Sequence, residues 1–384
     1  MDFNSEDLEL VELLRDLVEI KSVNPPGLES EMMDYILNYF KSYDVNISRI
    51  PVSDKRANLI IEIPGRNEKK IVFSGHMDVV PVSKAENTRW KSEPFSADII
   101  DGRIYGRGSA DMKGGLAAVM HSMKSILKRE VKPYHTIVFA ATVDEENMMT
   151  GSKEIIKTDF LSNTEIAIIC EPTNLEVCNI GYGRTWSELE FIGNTAHGSQ
   201  KSAGNNAIEM AAELMNKMDE AEFTKIDSEG YGNSFWQPLS INAGVEPAVV
   251  PDRCKLLIDA RITPEINTNR VWQDLDKMIK KIKDTNPNFK VKYEVKEKRE
   301  PWITNKDDKY LKNILNIIEE NGLVPKLESF KGTTDASYFR KLGMNTIIFG
   351  PGDLSIVHKE NENLKIKDLI LAAKIYLSIM ESEI

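Results

Sequence analysis

Cysteine is scarce in this chain: three among 384 residues, Cys170, Cys178 and Cys254, with no CxxC spacing. An odd, scattered set builds no disulfide framework, and a reducing cytoplasm suits it best. Long apolar runs are missing too; none approaches the ~20 residues that a membrane-spanning helix requires. The opening MDFNSEDLELVELLRDL is acidic and amphipathic, the wrong character for a secretory signal or a transit peptide. There is no basic excess. With 49 Lys and Arg against 60 Asp and Glu the formal net charge is −11, and no basic stripe runs along the chain. Neither nucleic acid nor a membrane is therefore an expected partner. A small anionic substrate stays open, because arginines in a pocket reverse the field locally. No repeat or low-complexity tract occurs.

What remains has the composition of an ordinary globular protein, 41% hydrophobic and 28% charged. At 384 residues the chain exceeds what one hydrophobic core organises, so two domains are expected. Leu10, Leu13, Leu14, Leu17 and Val18 recur at helical spacing and predict a helix over 5–20. The Asn24-Pro25-Pro26-Gly27 cluster breaks it, and a second helix follows over 28–42. Short apolar runs at 57–63, 70–74, 136–142 and 165–170 read as buried strands, with a helix over 113–129 between the second and third. This alternation predicts an α/β domain built on a mostly parallel sheet. From residue 183 the grammar changes to strand, helix, strand, strand, helix, strand, the β-α-β-β-α-β order of a ferredoxin-like unit. Past Lys298 the first grammar returns, with helices at 307–321 and 365–382 around a strand at 345–349. The expectation is a catalytic domain made of 1–182 and 297–384, with an inserted domain at 183–296.

Chemistry-bearing residues gather where the large domain's strands end. His76 and Asp78 follow the run at 70–74, Asp144, Glu145 and Glu146 follow 136–143, and Glu171 follows 165–170. Asp111 sits in GRGSADMKGG ahead of a helix, and His358 follows the strand at 345–349. Ligands collect outside the carboxyl ends of strands in open α/β sheets, so these groups should converge. Carboxylates packed together without a cation repel and raise one another's pKa. Imidazoles and carboxylates without a thiolate suit zinc, cobalt or manganese in hydrolytic sites. Asp78, two residues beyond His76, is placed to accept the other ring N–H of that imidazole. Of the adjacent Glu145 and Glu146, one can ligate while the other acts as general base.

The stretches SGHMDVVP, GRGSADMKGG, TVDEEN, CEPT and HKENE, in that order, resemble the M20 family of dinuclear metallohydrolases. The group whose motifs they most resemble is that of acetylornithine deacetylase and succinyl-diaminopimelate desuccinylase. The resemblance spans nearly the whole chain and implies a zinc-peptidase-like catalytic domain with an inserted lid and dimerisation domain. It implies two divalent ions per subunit, zinc or cobalt, with manganese a third option. His76 and Glu171 would hold one ion, Glu146 and His358 the other, and Asp111 would bridge them. It implies Glu145 as base for a metal-activated water, and His197, in GNTAHGS, as a lid histidine that reaches a neighbouring subunit's oxyanion. Asn242, Arg261, Arg184 and Thr333, the last in the GTTD stretch at 332–335, match substrate contacts.

Blander readings apply elsewhere. His121 and His135 read as packed residues, and the Asp144-Glu145-Glu146 run counts only because it ends a buried strand. The GRGSADMKGG glycines lack the GK[ST] ending of a phosphate loop. The expected function is a cytoplasmic, homodimeric hydrolase that removes an acetyl or succinyl group from an N-acyl amino acid. The alternatives are a dipeptidase or glutamate carboxypeptidase acting on short peptides, and a non-catalytic binding homologue.

Overall fold

The first helix forms where apolar spacing and a cap coincide. In the computed structural model, which describes residues 3–383 apart from 131, 227, 229–231 and 245, it spans Ser5–Glu19. The Asn4 side chain accepts the Asp7 N–H while the Asp7 carboxylate accepts the Asn4 N–H, so two end donors are satisfied reciprocally. Leu10, Leu13, Leu14, Leu17 and Val18 are buried along one stripe, against the helices Gly114–Lys128 and Ile366–Glu381. The chain divides into two compact units. Met1–Asn179, Thr304–Phe330 and Thr334–Ile384 form the first, and Ile180–Ile303 with Lys331–Thr333 the second.

The first unit is mixed α/β. Its sheet runs in the order Asn46–Ser53, Arg56–Ile63, Thr136–Thr142, Lys70–His76, Thr164–Ile169, Asn345–Ile348, Val177–Gly181. The four strands from Thr136–Thr142 to Asn345–Ile348 pair in parallel, and the outer strands join antiparallel. Every residue of TIVFAAT is buried, which is why that strand reads as an unbroken apolar run. Because the four strands are parallel, their carboxyl ends lie along one edge.

Two strands escape the apolar pattern. Asn46–Ser53 is a mostly exposed edge strand whose register shifts between Pro51 and Ser53. A proline inside a run signals against a strand and is tolerated only at such an edge. The same effect hides the start of Phe235–Ala243, where the register shifts between Pro238 and Ser240.

Phe73 anchors the core beneath the site. It is wholly buried, and its ring meets Tyr376 edge-on with centroids 5.2 Å apart. Phe73→Ala should destabilise the unit by about 3–5 kcal/mol, since the cavity left behind adds to the lost transfer energy. A denaturant unfolding curve with unchanged midpoint would contradict this.

The second unit is a four-stranded antiparallel sheet in the order Phe235–Ala243, Arg253–Ile262, Gly183–Ile192, Val291–Arg299. Burial alternates residue by residue along Gly183–Ile192, as in a sheet with one covered face. The helices Ala207–Met215 and Thr268–Thr285 supply the cover, and Leu189, Phe191, Leu256, Leu275 and Ile279 belong to its own core. The connection order and strand order are those of the ferredoxin-like unit. The lysine-rich strand Val291–Arg299 stands at its edge, where charge protects against pairing with other chains. All three cysteines are free and buried. Among the described residues no helix is long and apolar enough to cross a membrane.

Candidate metal centre

The parallel strands deliver their last residues to one place. His76 ends Lys70–His76, Glu145 and Glu146 lie just past Thr136–Thr142, and Glu171 lies just past Thr164–Ile169. Asp111 arrives from the distorted helical turn Ser109–Lys113, where it takes an extended conformation and its peptide bond to Met112 is cis. The glycines around it have packing roles. Gly108 has φ +82°, and a Cβ on Gly115 would sit 2.1 Å from the Cys170 carbonyl oxygen. The helix Gly114–Lys128 thus approaches the backbone beside Glu171 more closely than any side chain allows.

His76 Nε2 lies 3.1 Å from Asp111 Oδ1 and 3.7 Å from Glu171 Oε1. On the other side His358 Nε2 lies 3.2 Å from Asp111 Oδ2 and 3.0 Å from Glu146 Oε1. Asp111 therefore presents one carboxylate oxygen to each imidazole. Donor atoms of His76, Glu145 and Glu171 lie within 4.8 Å of one another, and so do those of His76, Asp111 and Glu146. Glu145 is thus gathered on the His76 and Glu171 side of the cluster.

Asp78 meets His76 differently from the sequence expectation. Its backbone carbonyl, not its carboxylate, accepts from Nδ1 at 2.9 Å, and the carboxylate oxygen stands 3.8 Å away. A carbonyl only accepts, so Nδ1 carries a proton, and Nε2 is the ring atom turned to the cluster, its lone pair becoming available on deprotonation. The Asp78 carboxylate is engaged elsewhere: it accepts the Glu145 N–H at 3.2 Å and the Glu146 N–H at 3.1 Å.

The electrostatics call for a cation. Among the described residues Asp111, Glu146 and Glu171 pair with no lysine or arginine, although all three lie at least largely buried. Burial, and then the Asp111 charge, raises the pKa of Glu171 well above the usual carboxylate value and that of Glu146 as well. For His76, burial is the largest single influence and works against the charged ring, yet Glu171, Asp111 and Glu145 together outweigh it and raise its pKa strongly. His358 is raised by Asp111 and Glu146 against a similar burial penalty. Asp111 is itself buried, but hydrogen bonds from His358 and His76 hold its pKa far below normal. Two protonated imidazoles thus supply the positive charge that the carboxylates need. Two divalent cations with oxygen and imidazole ligands would supply twice that charge, and the donor set fits them.

Several residues that hold this cluster received no role from the sequence, although Arg107 and Glu362 lie within GRGSADMKGG and HKENE. Glu362 accepts the Ala110 and Asp111 N–H groups, each at 3.1 Å, and Arg107 Nη1 donates to it at 2.7 Å. Glu362 lies four residues past His358, so it ties the His358 loop to the Asp111 turn. Arg107 also pairs with Glu86. Asn24, Glu29 and Arg56 lie on the opposite side, around Asp78 and Asp144. In the sequence Asn24 looks like any turn asparagine before proline, and Glu362 closes the HKENE stretch without a role of its own.

The remaining expected residues lie in the second unit. Arg261 stands opposite Arg184, and Arg184 opposite Arg299, in one row across three strands. Asp259 lies 2.8 Å from Arg261 and 3.8 Å from Arg184, and Thr333 Oγ1 accepts from Arg184 at 3.4 Å and Arg299 at 3.0 Å. Asn242 is exposed on the edge strand opposite Lys255, away from this row. His197 is exposed on a loop, with Nδ1 2.8 Å from Ser199 Oγ. The GTTD stretch is divided: Thr333 joins the arginine row, while Asp335 is buried in the first unit and accepts from Thr142 Oγ1 at 2.6 Å. His135 is buried edge-on to Tyr134, with ring centroids 4.9 Å apart.

Residues 72–382 match peptidase family M20/M25/M40. A Staphylococcus aureus protein named probable succinyl-diaminopimelate desuccinylase is 28% identical over 395 aligned residues, 94% of this chain and 94% of that protein. The crystal structure of a tripeptidase from Staphylococcus aureus is similar with a TM-score of 0.81, at 21% identity over 98% of both chains. An M20 family metallo-carboxypeptidase from Sulfolobus solfataricus gives 0.79 at 20% identity over 99% of both. At these identities the structural likeness establishes the fold.

Proposed function

The chain belongs to peptidase family M20/M25/M40 and is a metal-dependent hydrolase, and from that premise we propose that it cleaves the amide bond of an N-acyl amino acid, with acetyl or succinyl as the acyl group. The observation that carries this reading is the convergence of His76, Asp111, Glu145, Glu146, Glu171 and His358 on one cluster, whose His76, Asp111 and Glu171 are buried and whose His358 is exposed. His76 and Glu171 would hold one ion, Glu146 and His358 the other, with one oxygen of Asp111 toward each. Zinc or cobalt suits this donor set, and manganese is the third option. When bound, the ions supply Lewis acidity toward the amide carbonyl and the attacking water.

The chain's own residues do the rest. Glu145 takes the proton of the attacking water and delivers it to the leaving amine. Asp78 orients His76 through its carbonyl and holds the Glu145 and Glu146 backbone through its carboxylate. The exposed His197 imidazole is free of burial, which suits a role at a neighbouring subunit's oxyanion in a homodimer joined through the second unit, a lid in this reading. The row of Arg261, Arg184 and Arg299, with Thr333, supports an anionic substrate, because guanidinium forks bind carboxylates in two-point fashion. Asn242 is kept as a weaker contact. The scattered, buried cysteines support a cytoplasmic setting.

A substrate panel tests the reading. Protein loaded with zinc or cobalt should hydrolyse N-acetyl-L-ornithine or N-succinyl-L,L-diaminopimelate, and chelated protein neither. Turnover confined to dipeptides, or to peptides ending in glutamate, would replace it with the peptidase alternative. No turnover of any amide with both ions bound would leave a binding protein. Sedimentation showing only monomer would remove the role given to His197.

A further inference from the structure

Asn24 lies in the first unit, in the loop that the two prolines close, and its side chain is buried. We propose that Asn24 is a positioning residue of the hydrolase: its amide locks the carboxylates of Asp78 and Asp144 together and so fixes the backbone that presents Glu145 and Glu146. The kinetic part of this proposal rests on the amidohydrolase reading above; the structural part does not.

Both amide hydrogens are used. Asn24 Nδ2 donates to Asp78 Oδ2 at 2.8 Å and to Asp144 Oδ1 at 3.0 Å. The Asp78 carboxylate in turn accepts the N–H groups of Glu145 and Glu146. One side chain therefore stands a single residue away from both the proposed base and a proposed ligand. Among the described residues Asp78 pairs with no lysine or arginine, so apart from His76 Nδ1 at 3.8 Å its carboxylate is held by these three hydrogen bonds. A buried carboxylate that loses one of three donors recovers nothing from solvent.

Asp144 needs the same contact for a second reason. Its backbone has φ +67°, a left-handed conformation that is uncommon outside glycine and that aspartate enters with the help of local hydrogen bonds. Its side chain accepts from Asn24, from Arg56 at 3.1 Å and from the Thr150 hydroxyl at 2.7 Å. This left-handed residue directly precedes Glu145. Arg56 also pairs with buried Glu29, so three carboxylates share one guanidinium and one amide. The amide itself stands on a fixed base: Asn24 N–H donates to the Val79 carbonyl at 2.9 Å, and Val79 N–H to the Ser22 carbonyl at 2.9 Å. Pro25 and Pro26 restrict the chain that follows.

Two substitutions separate this role from simple packing. Asn24→Asp keeps the shape of the side chain but removes both donors and adds a third carboxylate beside two others. Asn24→Ala removes the donors without adding charge. If the amide donors matter, the aspartate variant is the more damaged; if only volume matters, the alanine variant is. With apo protein titrated by zinc in a calorimeter, Asn24→Ala should weaken binding about 10–100-fold, the usual effect of removing a residue behind a metal ligand. Amide exchange across residues 143–150 should quicken in both variants, because the Glu145 and Glu146 N–H groups lose a fixed acceptor. On the preferred substrate, kcat should fall by a similar factor while KM stays near its original value. Wild-type zinc affinity and exchange in both variants would overturn the proposal, and so would an aspartate variant milder than alanine. Should either variant fold poorly, exchange in the other decides. Zinc titration and exchange involve no turnover, so inactivity of the parent protein on every substrate would sink the amidohydrolase reading and leave this test standing.

Discussion

Glu145→Gln should lower kcat by about 10²–10⁴-fold, the span that a positioned general base contributes. The variant should keep its metal content and its melting temperature. Glutamine has the shape of glutamate and retains a carbonyl acceptor, but it takes up no proton at neutral pH. The Glu145 backbone is held by Asp78, so the substitution leaves the scaffold of the loop in place. Two measurements together decide the role. If the metal content falls by one ion per chain, Glu145 is a ligand and the pair Glu145 and Glu146 must exchange functions. That outcome is a real alternative, because the donor atoms of Glu145 lie grouped with those of His76 and Glu171. If kcat stays near normal with both ions present, neither assignment holds and another group moves the proton.

Removing the ions should abolish hydrolysis, lower the melting temperature and leave a protein whose stability depends on pH in a defined sense. A ligand present at about 1,000 times its Kd stabilises the folded state by about 4 kcal/mol, and chelation withdraws that. In the metal-free protein His76 and His358 have raised pKa values, and so do Glu146 and Glu171. The folded state therefore binds more protons than the unfolded state near neutrality, and stability of the metal-free protein falls as pH rises. For the histidines the contribution is complete below their unfolded pKa and disappears as pH climbs through the raised folded value. Asp111, whose pKa is lowered, acts in the opposite sense only in strong acid. The gap in melting temperature between loaded and chelated protein should widen from pH 6 toward higher pH. Ligation requires deprotonated imidazole, so metal uptake near pH 7 should expel protons, and its heat should vary with the ionisation enthalpy of the buffer. A buffer-independent heat, or a gap that narrows with rising pH, would contradict the charge balance described for this cluster.

Much of the fold could be read from the chain. The helix Ser5–Glu19 follows from leucines at three- and four-residue spacing, and the strand Thr136–Thr142 from an unbroken apolar run. The ferredoxin-like order of the second unit follows from elements between 183 and 299. Strands with proline or with mixed polarity were not legible, as Asn46–Ser53 shows, because edge strands bury too little to write a period into the sequence. In the candidate site the legible residues are those at the ends of apolar runs. His76, Glu145, Glu146 and Glu171 are marked by what precedes them, and Asp111 by the glycines that allow close packing.

The amino-acid sequence by itself determined the parallel sheet, its inserted unit and the side chains that reach the carboxyl edge, because hydrophobic period and strand ends are local properties. Only the tertiary structure decided how those side chains are held. The carbonyl of Asp78 rather than its carboxylate meets His76, Glu362 carries the backbone of Asp111 from 251 residues away, and Asn24 joins two aspartates that lie 54 and 120 residues from it. Buried polar groups must find partners wherever the fold brings them. Such partners are chosen by proximity in space, which leaves no periodicity in the chain to read.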